Sequence, residues 1–223
     1  SPGVLPEFRR WLKARYGTVE KLRRAWNNPS ATFENAVPPV TEKRYPGNFF
    51  NPATQMPQID LTRFLNESMG EFANRMCRTA KEAAGKPVIS VMWWGRGGSM
   101  MVYPHFSQTS TIFPSADLDL MGAQPAYQGE RNAGCSNFFS WIPDSARIHG
   151  KVSMIEADFR TWTSPINSLL HDYLVARFWN HEELQGALLR DFGRQLSVGG
   201  GLWFYDMTAG WFKDPLIMND VAK

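Results

Sequence analysis

Residues 151–159 read KVSMIEADF. They form a strand by pattern, and successive side chains of a strand point to opposite faces. Val152, Met154, Glu156 and Asp158 therefore share one face, and Ser153, Ile155 and Ala157 share the other. An acid that follows two apolar residues on one face, where the strand ends, looks into the mouth of a barrel in a parallel α/β fold. Two readings of Glu156 stand level on pattern alone. It is a nucleophile or general base, or it is a strand-end acid paired with a nearby arginine such as Arg160.

Three more strands are read on either side. PVISVMWWG, residues 87–95, is a short apolar run bounded by Pro and Gly, the pattern of a buried strand. DLDLMGAQ, residues 117–124, is the second, and LWFYDM, residues 202–207, follows the turn Gly199, Gly200 and Gly201. The stretches between the four are far too long for hairpins, so each strand is expected to return parallel to the last. That is the α/β class, as an open sheet or part of a (β/α) barrel. A whole barrel takes roughly 250 residues and eight strands, so four strands look like half of one.

Helices fill the remainder. In residues 6–27 Phe8, Trp11, Leu12, Val19, Leu22, Ala25 and Trp26 mark one apolar face. Gly17 closes a first helix there and Thr18 caps a second. Residues 28–59, with six prolines, read as a long loop of the kind that is functional or packs over the body of a fold. Asp60 is expected to cap a long helix with Leu61, Phe64, Leu65, Met69, Phe72, Met76, Ala80 and Ala83 on its core face and Gly85 at its end. A short helix is expected within 125–149, and a helix over 182–196 with Asn180 as N-cap and Glu183 completing a capping box. Residues 219–223 read as following a strand and a loop with no closing element, and residue 1 is Ser, so the chain is expected to be a piece of a longer protein.

Composition narrows the function. The 223 residues are 43% hydrophobic and 20% charged, which argues against wholesale disorder. A net charge of +3 with no basic cluster points neither to nucleic acid nor to an anionic membrane, and no run of 18 apolar residues offers a span. Cys77 and Cys135 are too few for a cysteine zinc cluster. The four histidines show no HxH or HExxH pairing, so no metal or other cofactor is expected within the chain. Cys77 reads as a small buried side chain.

In parallel α/β folds the chemistry sits at the C-terminal ends of the strands. Those ends carry Trp93, Trp94 and Arg96, then Gln124, Tyr127 and Arg131, then Glu156, Asp158 and Arg160, and last Tyr205, Asp206 and Trp211. Aromatic faces stack on sugar rings, and a glycosidic bond is broken between two carboxyl groups, so this set suits sugar chemistry. Trp93 and Trp94 face opposite ways. One belongs to the core and the other to the cleft, and Trp94 is assigned to the cleft.

Four segments carry a resemblance. FRRWLKARYGTVEKLRRAWN at 8–27, DLTRF at 60–64, HGKVSMIEADFRTW at 149–162 and GLWFYDMTAGWFKDP at 201–215 resemble, in order and spacing, segments of the β-galactosidases of glycoside hydrolase family 42 and their relatives. These are retaining enzymes built on (β/α)8 barrels. The resemblance implies that the chain holds strands five to eight, with residues 1–86 as a helical and loop segment before strand five. Glu156 matches the nucleophile, while the acid/base glutamate would lie upstream of Ser1, leaving this chain by itself inactive or nearly so. The acids nearest in strand-end position, where a substitute would be sought, are Glu130, Asp144 and Asp206. Asp206 reads rather as a hydroxyl contact or a structural acid.

The resemblance further implies that Tyr127 hydrogen-bonds the nucleophile, which favours its ionised form. Trp203 or Trp211 is implied to stack on the sugar, and Asp158 and Arg160 to brace the Glu156 loop or contact substrate. Arg131, read from the residues alone, is a loop arginine that braces its own loop, with substrate binding as the alternative. Relatives often form homotrimers through a domain further downstream. The implied partner is a β-linked carbohydrate, and the rivals are a polysaccharide hydrolase of the same clan, a carbohydrate-binding barrel without catalysis and a metal-dependent barrel hydrolase.

Overall fold

A computed structural model describes residues 3–39, 50–94, 109–125, 131–136, 142–165, 177–206 and 210–223. The chain divides into two compact units, Ser1–Phe72 and Ala73–Lys223.

The first unit is helical. Helix α1, Val4–Tyr16, ends at Gly17, whose φ of 73° lies where glycine alone is unstrained. Helix α2, Val19–Trp26, starts at Thr18, whose hydroxyl accepts from the Lys21 amide, and ends on left-handed Asn27. The break falls where Gly17 and Thr18 place it in the sequence. Helix α3, Pro52–Ala84, begins eight residues before Asp60, inside the stretch read as loop. The backbone of Gln55 is not helical, so the helix restarts just before Pro57. There the missing proline N–H is one that a first turn leaves unbonded in any case.

Asp60 is thus interior to α3 rather than its cap. It is fully buried and accepts from Tyr16 Oη at 2.6 Å and Trp26 Nε1 at 2.8 Å, with Arg15 Nε at 3.3 Å. Around it pack Phe8, Leu12, Leu22, Phe33, Leu61 and Phe64, with the Phe8 and Phe64 rings 5.4 Å apart. Trp11 Nε1 adds a bond to Glu67 at 2.6 Å.

The second unit is mixed α/β around one parallel sheet. Its strands are β1 Val91–Trp93, β2 Leu120–Ala123, β3 Val152–Ala157 and β4 Gly201–Phe204. They lie side by side in sequence order, β1-β2-β3-β4, every neighbouring pair parallel. This arrangement is compatible with part of a (β/α) barrel. Each strand falls within the segment expected for it, or one residue ahead, and is shorter. The end of α3 packs in this unit through Ala73 and Cys77, whereas Phe72 and Met76 of the expected core stripe are exposed. Small side chains on that face admit the 109–119 segment, held by Asn74 on the Thr111 carbonyl, Arg78 on Asp117 and Lys81 on Asp119.

Between β2 and β3 lies α4, Pro143–Ile148. Helix α5, His181–Ser197, is capped by Asn180, whose side chain accepts from the Glu183 amide at 2.9 Å. The Glu183 carboxylate returns to the amide of Trp179, one residue before the cap. Its apolar face, Leu184, Ala187 and Leu188, joins Ala157, Phe159, Phe178 and Trp211 in the core, and its Gln195 bonds Ser153 of β3 at 3.1 Å. A closing helix that the sequence reading lacked, α6, spans Pro215–Val221. Asp214 caps it through the Leu216 amide, and Pro215 presets its first turn.

Candidate active site

Strand register sorts the side chains of the sheet into two faces. Ser153 and Ala157 of β3 meet α5, so Glu156 points to the opposite face, away from that helix. Adjacent strands place in-register residues on the same side. Trp93, Gly122, Met154 and Gly201 thus form one row across all four strands. One step toward the C-terminal ends, Glu156 of β3 and Trp203 of β4 stand side by side. The ladder continues past the strands, with the Tyr205 amide on the Ala157 carbonyl at 3.2 Å, so Tyr205 follows Trp203 on the Glu156 side.

The charges near Glu156 come from the turn that follows it. Asp158 is buried and ion-paired with Arg131, which is fully buried with its guanidinium 5.7 Å from the centre of the Phe159 ring. The Arg131 segment is carried by α5: Arg190 donates to the carbonyls of Asn132 at 3.0 Å and Cys135 at 2.9 Å, and Arg194 to Ser136 at 2.7 Å. Burial pushes the Glu156 carboxyl above its ordinary value. The negative charge of Asp158 adds to the rise, and Arg131 opposes it.

Of the two readings of Glu156, an ion pair with Arg160 is not what the neighbours show. The charges that act on Glu156 are those of Asp158 and Arg131, while Arg160 stands over the Trp211 ring at 5.7 Å. Trp211 lies in the buried core. Its carbonyl accepts from Thr161 Oγ1 and, at 2.8 Å, Thr163 Oγ1, and its amide donates to Asp206 at 3.0 Å. Asp206 thereby holds the segment after β4.

The sheet brings together Glu156, Trp203, Asp158 and Arg131. It sets Trp94 apart: that side chain is 3% exposed and by alternation lies on the face opposite Trp93, which is 43% exposed on the Glu156 side. Tyr127 lies outside the described residues. In the sequence Trp93 and Tyr205 stand at strand ends without being assigned to the site, and Gly122 is not singled out. The signal that finds Trp93 is register between strands, which alternation within one strand does not supply.

Among the described residues no three His, Cys, Asp or Glu side chains group so as to hold a metal ion, and no helix is long and apolar enough to cross a membrane. Both cysteines are free thiols, Cys77 buried and Cys135 exposed.

Comparison with curated proteins gives no match. The model of glycoside hydrolase family 42, described as β-galactosidase, matches residues 1–123, from the helices of the first unit through strand β2. More than half of the sequence lies in that match, and the chain belongs to glycoside hydrolase family 42, the β-galactosidase family.

Proposed function

We propose that this chain is the second half of the catalytic barrel of a retaining β-galactosidase, with β1 to β4 as strands five to eight and Glu156 as the nucleophile. Membership of the family supports glycosidase chemistry on a carbohydrate substrate. The observation that carries the assignment of Glu156 is its place: the C-terminal end of β3, on the face away from α5, in register with Trp203.

Glu156 attacks the anomeric carbon of a β-linked sugar and forms a glycosyl-enzyme. A carboxylic acid about 5 Å away protonates the leaving oxygen and then activates the water that releases the sugar. That second acid comes from a strand preceding this sequence. Trp203 offers its ring to the apolar face of the sugar, and Tyr127 orients the nucleophile. Arg131 keeps Glu156 ionisable against the combined push of burial and Asp158. Asp206 and Trp211 support the rim, as their contacts with each other and with Thr161 indicate.

The test is Glu156→Gln in the full-length protein. Turnover of para-nitrophenyl β-galactoside is expected to fall by at least about 100-fold with the fold unchanged by circular dichroism. Turnover at the wild-type rate overturns the assignment.

A further inference from the structure

We propose that Gly122 is a positioning residue of this site: it seats the Trp203 indole against the sheet and so sets the depth of the sugar pocket in front of Glu156. The inference rests on the reading of Glu156 and Trp203 given above, and it adds a residue two strands away from Trp203.

Gly122 lies within β2, in register with Trp93 on one side and Met154 on the other. A glycine inside a strand weakens it and has no side chain to pack, so its presence marks a close approach by another group. Backbone conformation does not call for it, since Gly122 is not among the residues with positive φ. Space does. A β-carbon at Gly122 would sit 2.5 Å from Trp203 Cη2, 3.0 Å from Cζ3 and 3.7 Å from Cζ2. The three nearest neighbours of that vacant position all belong to the benzo edge of one indole.

The geometry follows from register. Trp203 starts beside Glu156 on the neighbouring strand, yet its far edge rests on Gly122, which pairs with Met154, two residues before Glu156. The ring therefore leans toward the N-terminal ends of the strands and crosses β3 beneath the Glu156 carboxyl. It forms a floor below the nucleophile rather than a wall beside it. A pyranose resting on that floor has its height relative to Glu156 fixed by how closely the indole approaches the sheet. A methyl group at position 122 displaces the benzo edge, because 2.5 Å is closer than two carbons can stand.

The experiment is a double-mutant cycle in the full-length protein, with Gly122→Ala, Trp203→Phe and both together, assayed on para-nitrophenyl β-galactoside. The phenyl ring of Trp203→Phe retains an aromatic face but lacks the benzo edge that meets position 122. Gly122→Ala alone is expected to raise KM about tenfold with a smaller change in kcat. In the Trp203→Phe background the same alanine is expected to change KM less than about twofold. A purely structural role for Gly122 would cost the same in both backgrounds, and that result overturns the inference. So does an unchanged KM in Gly122→Ala, even where its unfolding temperature falls. Glu156→Gln run alongside keeps the two claims separate. An inactive Glu156→Gln with no coupling between Gly122 and Trp203 removes the seat and leaves the nucleophile, whereas an active Glu156→Gln removes the reading on which both stand.

Discussion

Glu156 sits where its charge is unwelcome, and this has a consequence for stability as well as for reaction. Its carboxyl is raised above 4.5 by burial and by Asp158. A group whose folded value exceeds its unfolded value contributes stability that is fully present below the unfolded value. That contribution is lost as the pH rises through the folded one. Near neutral pH the ionised side chain therefore works against the fold. Glu156→Gln is expected to unfold at a higher temperature than the wild type near neutral pH, and the gap is expected to close once the pH falls below the ordinary carboxylate range. Calorimetry across that range checks it, and a gap of the opposite sign refutes it.

Tyr16 makes a similar case in the first unit. Burial, with help from the hydrogen bond to Asp60, pushes its phenol from 10.0 up to about 12. The sign is again that of a raised group, so the stability it contributes is complete below pH 10.0 and is lost as the pH climbs toward about 12. Tyr16→Phe is expected to flatten the alkaline fall in stability, read by urea unfolding at successive pH values. An unchanged slope refutes the assignment to Tyr16.

At the scale of elements, caps carry measurable weight. Asn180 satisfies an orphan amide at the start of α5, the helix that supports both β3 and the Arg131 segment. Asn180→Ala is expected to cost about 1 kcal/mol in denaturant unfolding, while Asn180→Asp costs little. Such caps were legible in the sequence. Gly17, Thr18, Asn180 and Gly85 each mark a boundary because their reasons are local: a positive φ or an amide three residues away.

The misread boundaries have non-local causes or overlooked local ones. Asp60 has the look of a cap, an acid before an apolar run, yet it serves side chains 44 and 34 residues distant. No periodicity reports such partners. Pro57 has the look of a helix breaker, but a break at Gln55 places it at a fresh start. The Asp-Pro pair at 214 and 215 did carry the start of α6 in plain view, before the apolar Leu216 and Ile217.

For the molecule as a whole, the parallel order of the sheet was legible because strand segments separated by long stretches leave few other solutions. The face to which Glu156 points was legible for the same reason, since alternation and strand direction fix it. What alternation within single strands does not deliver is the face of one strand relative to the next. That left Trp94 favoured over Trp93 and hid Gly122, whose meaning appears only when β2 and β4 are bridged by one indole.

The ties around Trp211 reach furthest. Thr161 and Thr163, just past the end of β3, hold the carbonyl of a residue that follows β4, while Arg160 lies over its ring. The backbone leaving β3 and the backbone leaving β4 are therefore stitched into one piece. A homologue that remodels the stretch around Trp211 has to re-tailor positions 160–163 in step, so those two stretches are expected to drift together over evolutionary time.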